Sequence, residues 1–263
     1  MSSETESKTT SELPTQRVHC LDRRRLIKGA ITGLSAGLLV GASGAQAQAP
    51  LGSASLRLGV EAKQAFKSTH VMQPLSFKPS KLKGLSERLM ESHWANNYGG
   101  SVRALNATNE RLVAALSDRD LPAFTYNGLK REQLMRTGSV VLHELYFENL
   151  GGDGKAGADA RKLIADSFGS FDRWETEYRR IAAGLGGGSG WVMLGFNRHF
   201  RVLENYWMAD HMHGPATTEP LLVMDMYEHS YQMDYGAATA RYVEAFFANI
   251  NWDAVMGRVN ALG

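Results

Sequence analysis

From Ser86 onward, apolar positions recur with a helical period. Leu89, His93 and Asn97 fall at i, i+4 and i+8 behind Ser86, a side chain suited to capping a helix start, with Glu87 in the first turn. Gly99-Gly100 weakens the middle of this stretch, and Leu105 and Leu112 resume its stripe. A loop is expected around Pro122 and Asn127-Gly128, then a second helix over residues 130–150 with Leu134, Val141 and Leu145 on one side. Gly151-Gly152-Asp153-Gly154 reads as a linker. After it, residues 156–168 predict a helix turning Leu163, Ile164 and Phe168 inward. Ser170 caps another, carrying Phe171, Trp174, Tyr178 and Ile181 and closed by Gly184.

The pattern then changes to short apolar runs of strand length: Trp191–Phe196, Val202–Trp207 and Leu221–Met226. The first two are joined by a short turn, Asn197–Phe200, as in a hairpin. Tyr242, Phe246 and Ile250 mark a helix, and Val255, Val259 and Leu262 a short final one. The order predicts an α+β protein: an N-terminal antiparallel helical hairpin over residues 75–151, and a C-terminal α/β domain over residues 155–263 with a three-stranded antiparallel sheet. The glycine run 184–190 is not followed by Gly-Lys-Ser/Thr, so it is no phosphate loop but the approach to a strand.

Ahead of these elements the pattern is of another kind. Asp22-Arg23-Arg24-Arg25-Leu26-Ile27-Lys28 precedes a mildly apolar stretch, Gly29 to Ala42, and then Ala45-Gln46-Ala47. A basic segment, an apolar segment and a small-residue cleavage site in that order predict an export signal over residues 1–47, cut after Ala47. The paired Arg23 and Arg24 resemble a twin-arginine signal, which implies the Tat translocase as a partner and a periplasmic or secreted destination. The apolar stretch is short for a membrane span, so no stable insertion is expected after cleavage. Residues 48–74 predict a flexible arm, basic as it runs on through Lys63, Lys67, Lys78, Lys81 and Lys83, with Pro74 and Pro79 bracketing an extended piece.

This leader changes how composition reads. The chain has 263 residues, formal net charge +2 and one cysteine, Cys20. Removing residues 1–47 takes away six basic and four acidic residues, leaving 23 of each in 216 residues with no cysteine. A disulfide framework and a Cys-rich metal site are excluded. The neutral balance argues against nucleic acid as a partner.

Seven histidines remain, and the sharpest constellation is Leu221-Leu222-Val223-Met224-Asp225-Met226-Tyr227-Glu228-His229. A carboxylate deep in an apolar run is expensive unless paired or bound to a metal. His229 follows four positions on, and an oxygen–nitrogen donor pair suits iron, manganese or zinc. Taken alone, the run is equally a buried Asp accepting backbone N–H bonds beside an exposed His. His93 and His143 each sit mid-helix among apolar neighbours, and two antiparallel helices bring such rings together, giving a set of three His and one Asp.

These residues carry a resemblance. Met90-Glu91-Ser92-His93, Leu142 through Leu150, Phe168-Gly169-Ser170, Gly188-Ser189-Gly190-Trp191, Leu194-Gly195-Phe196, Asp225 through Tyr235 and Phe246 through Trp252 are similar, in order and spacing, to the iron/manganese superoxide dismutase family, from about Leu75 to the C-terminus. The resemblance implies conversion of superoxide to O2 and H2O2 at one iron or manganese ion per subunit. It implies His93, His143, Asp225 and His229 as ligands, a bound solvent completing five-coordination, and a homodimer or tetramer in which Glu228 bonds a ligand histidine across the interface. It places Trp191, Tyr227 and Asn97 around the ligands. The family's solvent-tuning group falls to His211, because the alternative position, Ser139, is too short.

The chain also departs from that family. The gateway tyrosine aligns with Ser101, its neighbouring histidine with Asn97, and the tyrosine three positions after the last ligand with Gln232. The Trp of the D-x-W-E-H block is Tyr227, and a funnel arginine aligns with Thr239, leaving Arg241 as its substitute. Two other readings stand beside dismutation: a metal-binding or redox-sensing protein on the same scaffold, and a non-haem iron oxygenase or peroxidase, against which the fourth ligand argues. His211-Met212-His213 is also a weak candidate for a separate surface metal site.

Overall fold

A computed structural model of the protein describes residues 64–67 and 69–263. The expected export signal, with Cys20, Arg23, Arg24 and Ala47, lies outside the described residues, as does most of the arm 48–74. The end of that arm is not free. His70 exchanges two hydrogen bonds with the Asn106 side chain, each 2.9 Å, and Gln73 N–H donates to the Tyr98 hydroxyl at 2.7 Å. The Trp94 indole N–H donates to the Gln73 carbonyl. Periodicity cannot reveal such a strap, because side chains of the helices hold its backbone.

Ser86 caps α1 (Glu87–Ser92), its hydroxyl accepting from Leu89 N–H at 3.1 Å. The helix widens into one π-helical stretch, His93–Tyr98, and continues as α2 (Gly99–Ser117), so Gly99-Gly100 does not break it. The next helix corrects the sequence expectation. α3 spans Ala123–Glu148, starting directly after Pro122 and carrying Asn127-Gly128 inside it. One helical glycine costs only about 1 kcal/mol, which a 26-residue helix absorbs.

Its apolar side was also misassigned by pattern. Leu134 is 56% exposed and Val141 44%, whereas Ser139, Val140, Leu142, His143, Tyr146 and Phe147 are buried. The inward face includes a serine and a histidine that a count of apolar residues passes over.

After the glycine loop come α4 (Ala158–Phe168), ended by left-handed Gly169, and α5 (Phe171–Leu185), capped by Ser170 and running one residue beyond Gly184. Trp174 and Tyr178 turn from α5 into the core against the sheet. The sheet is antiparallel in the order β2-β1-β3, with β1 Trp191–Asn197, β2 Val202–Met208 and β3 Thr218–Asp225. The register sets Trp191 opposite both Met208 and Asp225, so one end of the sheet gathers the start of β1 and the ends of its two neighbours.

α3 packs on β3, and the Asn149 side-chain amide donates to the Val223 carbonyl at 3.0 Å. The chain finishes with α6 (Gln232–Tyr235), α7 (Thr239–Phe247) and α8 (Trp252–Asn260). Ile250 is buried, but beyond the end of α7 rather than within it. Among the described residues no helix is long and apolar enough to cross a membrane.

Candidate metal centre

Four side chains meet where the helical hairpin faces the end of the sheet. His93 comes from the π-helical stretch, a departure from the α ladder that often marks functional positions. His143 comes from the inward face of α3, Asp225 from the last residue of β3, and His229 from a short 3-10 turn, Glu228–Ser230. One donor atom from each lies within 4.8 Å of every other. Asp225, His93 and His143 are essentially inaccessible to solvent.

The hydrogen bonds decide which atoms are left over. His143 Nδ1–H donates to the Ser139 carbonyl at 2.7 Å, one helical turn back. A neutral ring so bonded turns an unprotonated Nε2 toward Asp225 Oδ2, 3.6 Å away. Two acceptors facing each other in a dry interior repel unless a positive charge lies between them. His93 has no hydrogen-bond partner on either ring nitrogen, and its Nε2 is 3.2 Å from the same oxygen. His229 Nε2 approaches it to 3.1 Å. Three imidazoles thus converge on one carboxylate oxygen, with two of the rings holding orphaned nitrogens. These residues fit a divalent or trivalent transition metal, whose preferred donors are imidazole nitrogen and carboxylate oxygen.

Asp225 is itself held. Its Oδ1 accepts from Tyr227 N–H at 2.8 Å, and its carbonyl accepts from the Tyr242 hydroxyl at 2.6 Å. Burial opposes its charge, but His229 and His93 beside it bring the carboxyl well below its ordinary value. Burial pushes His143 down to about 3 and lowers His93, so both are neutral and ready to ligate at neutral pH. At His229 burial also works downward, yet the Asp225 charge outweighs it and the ring is raised.

A cleft of about 440 Å³ leads to these side chains, lined by Asn97, Ser101, Arg136, Ser139, His211 and Tyr227 among others. Ser101 and Ser139 hydroxyls bond each other at 2.8 Å. His211 stacks on Tyr227 with ring centres 4.7 Å apart, and its Nδ1 accepts from the Trp191 indole N–H at 3.0 Å. Indole nitrogen only donates, so neutral His211 carries its proton on Nε2, the donor it can offer to the cleft. Burial holds its pKa below the ordinary histidine value.

Ser101, Asn97, His211, Tyr227 and Trp191 are therefore gathered at or beside the site. Gln232, expected with them, is exposed on α6 and outside the cleft lining. Glu228 is exposed next to His229. Thr239 stands at the start of α7, and Arg241 lies over the Tyr235 ring at 5.5 Å; neither lines the cleft. His213 pairs with Asp210 at 2.8 Å while His211 bonds Trp191, so the two do not form a joint metal site. The cation that the pattern missed is Arg136, seven residues before His143 and hence on the same face of α3. That spacing was the available signal.

Comparison with known proteins follows the same outline. Residues 156–258 match the family described as iron/manganese superoxide dismutases, C-terminal domain. An iron superoxide dismutase of Cupriavidus metallidurans is 48% identical over 193 residues, covering 72% of this chain and 96% of that protein. An iron superoxide dismutase of Aquifex aeolicus is 34% identical over 197 residues, 72% of this chain and 91% of its own length. A manganese superoxide dismutase of Haloferax volcanii is 31% identical over 197 residues, 73% and 95% respectively.

Proposed function

The chain belongs to the iron/manganese superoxide dismutase family, and from that premise we propose that His93, His143, Asp225 and His229 are the ligands of its metal. The protein is a superoxide dismutase, an oxidoreductase that converts two superoxide anions and two protons into O2 and H2O2 with one iron or manganese ion per subunit. When bound, the ion would supply one-electron redox chemistry between two oxidation states. The protein supplies the rest. Three neutral imidazoles and one carboxylate would hold the ion and offset one unit of its charge, and the Ser139 carbonyl fixes the tautomer of His143. His211, protonated on Nε2 and held by Trp191, offers a proton donor in the cleft. The observation that carries the assignment is the unpaired, fully buried nitrogen pair of His93 and the Nε2 of His143, all beside Asp225 Oδ2.

The test is removal of the acceptor that draws these rings together. Asp225→Ala is expected to lose metal, by elemental analysis, and dismutation, by pulse radiolysis, together. Full metal and rate in that variant would overturn the ligand set. Full metal without turnover in the unaltered protein would favour a metal-binding role on this scaffold instead.

Two finer readings belong with this one. The order of basic, apolar and small residues in 1–47 supports export by the twin-arginine route to the periplasm or beyond. Changing Arg23 and Arg24 to Lys should strand the uncleaved chain in the cytoplasmic fraction; undiminished export would refute it. The exposed carboxylate of Glu228, next to His229, supports a homodimer in which it reaches the partner subunit.

A further inference from the structure

Gly138 occupies the interior of α3, where glycine weakens a helix. A Cβ at this position would overlap the carbonyl oxygen of His211, and would come within 2.9 Å of that carbonyl carbon and 3.5 Å of the His211 Cβ. The obstacle is backbone, which cannot swing aside as a long side chain does. By contrast, a Cβ at Gly128 on the same helix meets nothing within 4 Å.

His211 lies in the segment between β2 and β3, which has no regular structure from Ala209 to Thr217. Its far end is tied by the Arg198 N–H, which donates to the Thr217 carbonyl at 2.9 Å. The Ser189 hydroxyl donates to the Ala209 carbonyl at 3.0 Å, and Asp210 accepts from Met212 N–H and pairs with His213. The Trp191 indole holds the His211 ring from the sheet side. On the other side the His211 backbone rests directly on α3 at Gly138, a position without a side chain. The next residue, Ser139, accepts from the ligand His143 and contacts Ser101. The same helical turn therefore touches both the His143 ring and the His211 backbone.

We propose that Gly138 is a positioning residue: its missing side chain is the seat on which the His211 backbone docks, and it fixes how far the imidazole enters the cleft. The inference rests on the reading of His211 as the proton donor of that cleft. A methyl at Gly138 would lift the segment off α3, lengthen or break the Trp191–His211 bond and withdraw the ring. It would do so without touching any of the four metal ligands.

The experiment compares the holoenzyme with Gly138→Ala, His211→Ala and the double variant, with Gly128→Ala as the control for an added methyl in α3. Metal content, the midpoint potential of the bound metal and kcat are read for each. Gly138→Ala is expected to keep its metal, to shift the potential most of the way to the His211→Ala value, and to lose about tenfold in kcat. It should add little in the His211→Ala background, since the two changes act through one group. Should Gly138→Ala not accumulate folded, the same change is made with one glycine inserted after Met212. The longer segment relieves the clash yet leaves the ring withdrawn, so the same shift in potential is expected. A potential and kcat unchanged in Gly138→Ala while His211→Ala moves both would overturn the positioning role. A Gly138→Ala effect that persists in full in the double variant would overturn it too. No change in His211→Ala would remove the reading of His211, and this inference with it.

Discussion

Each histidine at the centre turns a nitrogen toward Asp225 by a different device. His143 spends Nδ1 on the carbonyl one turn behind it, His93 is left with no partner, and His229 leans on the Asp225 charge. These choices have a signature in pH when the metal is removed. His93 and His143 sit below their ordinary value through burial, whereas unfolded histidine titrates near 6.5. Below that pH the unfolded chain binds a proton that folded His143 refuses, and His93, also lowered, works in the same direction, so stability is fully present above about 6.5 and is lost as pH falls. His229, raised, is protonated in both states there and adds no slope. With His143 down at about 3, the metal-free protein should lose at least about 1 kcal/mol per pH unit between about pH 6 and 4.5, seen as a falling urea midpoint. A flat midpoint over that range would contradict the burial of these rings. The cleft offers a second residue-scale test. Arg136 lines it, although its Nε pairs with Glu132 at 2.7 Å, while Arg241 stands elsewhere. Arg136→Gln should lower kcat/KM severalfold at low salt and flatten its salt dependence, with Arg241→Gln close to the unaltered enzyme. Equal effects of the two would return Arg241 to the funnel.

At the scale of elements, α3 carries more of the site than any other. Its inward face supplies His143, Ser139 and Arg136, and one turn of it seats the His211 segment. The helix tolerates two interior glycines for different reasons. Gly138 meets backbone, but Gly128 is exposed with open space around it. Gly128→Ala should therefore raise stability by up to about 1 kcal/mol in denaturant unfolding and leave activity untouched. A loss of stability there would mean that the helix does not run through this position. Element boundaries were legible where side chains signal them. Ser86 and Ser170 cap the helices they were expected to cap, and the three strands lie within a few residues of the apolar runs. The start of α3 was not legible, because Asn127-Gly128 is ordinary turn chemistry and its helical state is decided by the contacts of the remaining turns.

At the scale of the molecule, the centre lies between the helical hairpin and the sheet end, so neither part holds it alone. His93 and His143 come from the first, Asp225 and His229 from the second. Glu228, exposed next to His229, is the residue we propose extends the site to a second copy. Glu228→Ala is expected to move the sedimentation of the metal-loaded enzyme toward the monomer, and an unchanged coefficient would exclude that role. The absence of cysteine from residues 48–263 suits a protein whose product is peroxide, since the part that builds the site holds no thiol to oxidise.

The sequence by itself determined the elements with strong periods, the α+β order and the four residues that gather. An acidic residue inside an apolar run and histidines on apolar helix faces violate local preference, and such violations are visible without coordinates. It did not determine which side of α3 faces inward, where Gln232 and Arg241 point, or that Arg136 and Gly138 belong to the site. Those depend on distances between residues remote in the chain. A hydrogen-bonded strand register sets Asp225 opposite Trp191, and a close backbone approach sets His211 against α3. Periodicity describes a segment's own faces. Which face meets which partner is settled only when the whole interior closes around them.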